Sequence, residues 1–139
     1  MTVELEDLKS MWLSLKAHVD QLAGERQQYL DVFEQSQEAY VVTDAQGTIV
    51  DANGAAVDAL QRRRRSLSGK PIAAMVALDR RAEFRSRLRR VAEGEAGAAR
   101  SWNTVFESPG LRTDVTVTLR PIERQGTLKG LCWLLQARP

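Results

Sequence analysis

Asp44-Ala45-Gln46-Gly47-Thr48-Ile49-Val50-Asp51-Ala52-Asn53 is the stretch on which the fold turns. Before it, residues 39–43 are short, β-branched and aromatic-rich, and residues 48–52 are of the same kind. Such side chains suit a pleated, half-buried surface, and Asp44 and Gly47 suit a tight reversal between them. The spacing predicts a β-hairpin. Asn53 follows at once, with a side-chain carbonyl that can accept from an amide of a first helical turn, so a helix is expected over Gly54 to Leu60.

The surrounding chain sets the limits. With 139 residues and 43% apolar content it can form one domain with its own core plus an appended element. No apolar run approaches the ~20 residues of a membrane-spanning helix, and the acidic start, Met1 to Asp7, is unlike a secretory signal. A cytoplasmic protein without membrane association is expected. Cys132, the sole cysteine, excludes an internal disulfide framework and reads as a buried, inert thiol in an apolar run. Residues 1–36 carry three Lys/Arg against seven Asp/Glu, whereas residues 37–139 carry seventeen against eleven. This change of sign predicts a division into a helical segment, 1–34, and a domain, 35–139.

In the first segment Leu5, Leu8, Trp12, Leu15, Val19, Leu22, Tyr29 and Phe33 follow alternating spacings of three and four, with Arg26 the polar interruption. This is a heptad seam, on a helix of roughly 40 Å at 1.5 Å per residue. One helix cannot bury such a stripe alone. It either lies on its own domain or pairs with a second copy of the chain. The narrow a/d stripe favours the coiled coil, so these eight residues are expected to form a homodimer interface. Lys9 and Lys16 can meet Glu4 across the seam, but other flanking positions are not charge-matched, which leaves parallel and antiparallel pairing open. His18 on the helix flank reads as a solvated or packed side chain rather than a metal ligand.

Beyond Leu60 come Arg62 to Arg65, a turn-like Ser66 to Pro71, and an apolar stretch from Ile72 to Leu78. Asp79 is expected to cap a helix whose apolar face is Phe84, Leu88 and Val91 and which ends at Gly94 and Gly97. The remainder is β in pattern: residues 101–107, a turn at 108–110, residues 111–119 with Val115, Val117 and Leu119 alternating, a loop at Gln125-Gly126, and residues 130–136.

From Leu30 to Gln136 the chain resembles a PAS domain. The resemblance rests on Asp44, Gly47, Ile49 and Asn53 of the hairpin, the Ser68-Gly69-Lys70 turn, the basic helix with Phe84 and Leu88, and the final pair of strands with Arg120, Pro121 and Ile122. It implies an α+β fold: a five-stranded antiparallel sheet in the order 2-1-5-4-3, with helices on one face that can enclose a small-molecule pocket. It also implies that the N-terminal helix packs on the other sheet face and mediates dimerisation. Leu131 to Leu135 is apolar without alternation, so both faces of the last strand are expected to be covered. Cys132, Trp133 and Leu134 are therefore assigned to the sheet face that meets the helix or a partner, with the face taken by Trp133 left open by the spacing.

Light-sensing flavin members of the family carry a reactive cysteine in an Asn-Cys-Arg-Phe-Leu-Gln run, and residues 52–91 contain no cysteine. Haem-binding members supply a histidine from the long helix, and residues 79–91 contain none. The cofactor, if there is one, is left unassigned. No Ser/His/Asp grouping and no phosphate loop is present in the sequence, and an enzyme is not expected. Eleven Lys/Arg lie between Arg62 and Arg90, among them Arg62, Arg63, Arg64, Arg65, Arg85 and Arg89, against Asp79 and Glu83. A solvated arginine-rich face accounts for this without a DNA-reading motif, so nucleic acid is not expected as a partner. The reading is a homodimeric sensor or interaction module, acting on an output protein in trans or forming a piece of a longer sensor. The alternatives are a dimeric transcription regulator using the basic surface on DNA and a flavin or haem sensor.

Overall fold

The computed structural model describes residues 2–138; the side chains of residues 2–8 and of Met11, His18, Val19, Leu22, Arg26 and Tyr29 lie outside the description. The expectations for Leu5, Leu8, His18, Val19, Leu22 and Tyr29 therefore fall outside the described residues. The chain divides into two units between Phe33 and Glu34. The first is helical, belonging to α1 (Thr2–Gln35), whose last two residues lie in the second unit.

In the second unit the elements are β1 (Ala39–Thr43), β2 (Ile49–Ala52), α2 (Gly54–Leu60), α3 (Arg64–Leu67), two 3₁₀ turns (Ile72–Met75 and Leu78–Arg80), α4 (Arg81–Ala92), β3 (Ser101–Ser108), β4 (Leu111–Arg124) and β5 (Thr127–Ala137). All strand pairs are antiparallel, and the spatial order is β2-β1-β5-β4-β3, as the resemblance implied. The last two hairpins turn through two residues each, with Ser108 opposite Leu111 and Arg124 opposite Thr127. β4 and β5 run longer than the alternating pattern predicted, since each supplies the other's backbone partners out to the turn.

The core lies between the inner sheet face and the helical segments. Val41, Val117, Leu119, Leu131 and Trp133 rise from the sheet to meet Leu60, Leu67, Ile72, Met75, Phe84 and Leu88. Phe84, Leu88 and Val91 are all buried, so α4 uses the face its spacing predicted. Two local expectations are corrected. Asp79 does not cap α4: it lies in the second 3₁₀ turn, Arg80 holds the cap position without a side-chain bond, and the Asp79 carboxylate faces Arg112 at 3.3 Å. Arg64 and Arg65, expected before a turn, form one helical turn with Leu67, which is drawn into the core.

Candidate functional site

The five motif residues are brought together by the structure, and each holds backbone. Asp44 Oδ1 accepts from the amides of Gln46 and Thr48 at 3.0 and 2.9 Å, closing the β1–β2 turn. The Gly47 carbonyl accepts from Ile72 N, and the Ile49 carbonyl accepts from Gly69 N, both at 2.8 Å, so the free edge of β2 is paired by the segment before the first 3₁₀ turn. Asn53, fully buried, accepts through Oδ1 from Tyr40 N and Ala56 N, each at 3.0 Å, and donates through Nδ2 to the Glu38 carbonyl at 2.8 Å. It thus caps α2 and ties that cap to β1. Saturated hydrogen-bonding groups of this kind make a scaffold and leave little chemistry for a ligand.

Between α4 and the sheet, where the resemblance implied space for a small molecule, aromatic rings pack. Phe84 stacks on Trp133 at 5.3 Å between centroids and meets Trp102 edge-on at 5.6 Å, while Trp102 and Trp133 stand at 81° and 6.0 Å. Phe106 closes the group edge-on to Phe84 at 6.5 Å. Trp133 Nε1 donates to Thr43 Oγ1 at 3.0 Å, whereas Trp102 Nε1 is buried without a hydrogen-bond partner among the described residues. Thr43 carried no sequence signal for this role, because its partner is ninety residues away.

The trio assigned to one sheet face is split. A strand alternates its side chains, so Trp133 points inward between Leu131 and Leu135, and Cys132 and Leu134 take the opposite face, where they are half-buried. By register they neighbour Val42 and Tyr40 of β1 and Arg120 and Thr118 of β4. Burial pushes the Cys132 thiol pKa up, with Arg120 acting weakly against it.

The basic surface is partly engaged. Arg64 donates to both carboxylate oxygens of Glu34, Arg87 pairs with Glu83 at 3.1 Å, Arg80 and Arg90 lie near Asp79 and Glu95, and Arg62 donates to the Glu107 carbonyl. Arg81 is turned inward onto the carbonyls of Val76 and Ala74. Arg63, Arg65, Arg85 and Arg89 are exposed and, among the described residues, face no carboxylate. Carboxylates thus offset Arg64, Arg80, Arg87 and Arg90, whereas the carbonyls bound by Arg62 and Arg81 leave their charge in place, and the surface stays basic. Arg85 and Arg89 border a cleft of about 480 Å³ between α4 and the β1–β2 turn. On α1, Trp12 and Leu15 are 60% and 63% exposed, and Phe33 is half-buried.

Residues 33–137 match the family described as the PAS fold, and the chain belongs to that family. Among solved structures it is similar to the PAS domain of an HTR-like protein from Haloarcula marismortui, with a TM-score of 0.70 and 19% identity over 88% of this chain and 99% of that one. It is also similar to a domain of a sensory box sensor histidine kinase/response regulator from Geobacter sulfurreducens, with a TM-score of 0.67 and 15% identity over 83% and 96% of the two chains. A third is the PAS domain, in complex with ethanol, of a LuxR-family transcriptional regulator from Burkholderia thailandensis, with a TM-score of 0.64 and 17% identity over 78% and 96%. At these identities the likeness is one of fold. No curated protein is significantly similar to the chain.

Proposed function

We propose that this PAS domain is a signal-sensing or protein-interaction module that works as a homodimer, with α1 coupling the domain to the geometry of the dimer. The observation that supports it is the apolar stripe of α1, where Trp12 and Leu15 remain mostly exposed in the single chain. Burying one such side chain against a second copy contributes about 1.5–3 kcal/mol, and the heptad spacing repeats the opportunity along the helix. The outer face of the sheet, with Tyr40, Val42, Cys132 and Leu134 half-buried, is a second apolar surface suited to packing.

In this reading a ligand or partner bound to the PAS unit favours one of two packings and shifts the dimer between them, and an output protein reads the change in trans. Such a shift requires the ligand to bind the two packings with different affinity. The reading takes the module to work in the cytoplasm. Among the described residues no helix is long and apolar enough to cross a membrane.

Sedimentation velocity tests the dimer. The expected result is a dimer at about 50 µM that Leu15→Glu converts to a monomer while the circular dichroism of the sheet is retained. A monomeric wild-type chain at that concentration removes the basis of the proposal.

A further inference from the structure

We infer that the cleft between α4 and the β1–β2 turn is a binding site for a small amphipathic carboxylate, outside the packed space between helices and sheet. Its walls are apolar: Leu88 and Ala92 on α4 face Pro71 and Ala73 across it, and Gly47 completes the turn side. Its volume, about 480 Å³, is within the roughly 300–1,000 Å³ typical of small-molecule pockets. A turn without a side chain at Gly47 is what brings this wall so close, since a Cβ there would stand 2.7 Å from Leu88 Cδ2.

The charge at the rim selects the ligand. Arg85 and Arg89 sit one helical turn apart, and neither has a carboxylate partner among the described residues, unlike Arg64, Arg80, Arg87 and Arg90. Side chains at i and i+4 share a helix face, so the two guanidinium groups can converge on one planar anion. Glu93 also lines the cleft, which leaves one uncompensated positive charge and favours a monoanion over a dianionic phosphate. The carboxylate would lie between the arginines and the apolar body over Leu88, Pro71 and Ala92. The site goes beyond the dimer proposal, and its occupancy does not depend on it.

The test is a titration of octanoate into the ¹⁵N-labelled full chain, with octanol as the neutral probe of equal length and octyl phosphate as the dianionic one. Octanoate is expected to shift the amides of Gln46, Gly47 and Ala92 saturably, and octanol and octyl phosphate to bind at least about tenfold more weakly. Arg85→Gln/Arg89→Gln should weaken octanoate about tenfold, Arg63→Gln/Arg65→Gln should leave it unchanged, and Ala92→Leu should obstruct it without altering charge. Octanoate binding that persists in the monomeric Leu15→Glu chain separates this site from the dimer. The inference is overturned by the absence of saturable shifts up to about 10 mM, by octanol titrating as octanoate does, or by equal losses in the two arginine double variants.

Discussion

Replacing Asn53 by alanine removes its side-chain hydrogen bonds to Ala56, Tyr40 and Glu38. Loss of the α2 cap costs about 1 kcal/mol, since the Ala56 amide is left without its acceptor. The Tyr40 amide and the Glu38 carbonyl also lose Asn53; both are only partly buried, so water recovers some of the loss and each costs about 0.5–1.5 kcal/mol. The total is about 2–4 kcal/mol, a large share of the roughly 5–15 kcal/mol that holds a domain together. In urea, with a slope near 2 kcal/mol/M, the midpoint should fall by about 1–2 M. Asn53→Asp keeps the acceptor toward Tyr40 and Ala56 but places an oxygen against the Glu38 carbonyl; its cost should be about 1–2 kcal/mol, partly offset by the helix dipole. The expected order of stability is wild type, then Asp, then Ala. An alanine variant within about 1 kcal/mol of wild type, or an aspartate variant below the alanine one, would refute the accounting.

Gly47→Ala should cost more than Gly69→Ala. Both glycines have positive φ, +88° and +83°, but only the Cβ at 47 meets a neighbour. Denaturation should show about 1–2 kcal/mol for Gly69→Ala and at least about 1 kcal/mol more for Gly47→Ala, with the excess shrinking in a Leu88→Ala background. Phe84→Ala, which removes the ring shared by Trp102, Phe106 and Trp133, should cost about 3–5 kcal/mol by the same assay, while Phe84→Leu loses less than about 2. Cys132 has a raised thiol pKa in the folded chain, so the folded state holds its proton longer than the unfolded state does. Its contribution is fully present below the ordinary thiol value of 9.0 and is lost as the pH rises beyond it, and Cys132→Ala should flatten that alkaline limb in urea midpoints measured across it.

The hairpin turn and the α2 cap were legible because they are local: Asp44 accepts from Gln46 and Thr48, and Asn53 from Ala56, all within four residues. The bonds of Gly47 to Ile72 and of Asn53 to Tyr40 and Glu38, by contrast, depend on the fold. The sheet order needed the family resemblance, since nothing in β5 alone says that it pairs with β1 on one side and β4 on the other. The orientation of Trp133 was hidden by the apolar run around it, and only the register that sets it opposite Val41 assigns it to the core. Asp79 looked like a cap by residue type, but the exposed Leu78 before it begins a separate 3₁₀ turn and the aspartate is spent on Arg112. The cleft had no sequence signature, being assembled from residues 45–47, 71–73 and 85–93, whose meeting depends on tertiary packing. The arginine count overstated the basic surface in part for a related reason: Glu34, at the end of α1, reaches Arg64, and Glu95, just beyond α4, lies near Arg90.

The nearly perpendicular indoles of Trp102 and Trp133 make the core an optical instrument. Transition dipoles 6.0 Å apart mix, so the folded chain should carry a paired positive and negative band in its aromatic circular dichroism that the exposed Trp12, whose ring meets the Lys16 ammonium, does not produce. The two rings also differ in polarity, one tied to the Thr43 hydroxyl and the other with an unengaged N–H. Any event that parts or rotates them registers as light, without a label, from the centre of the domain.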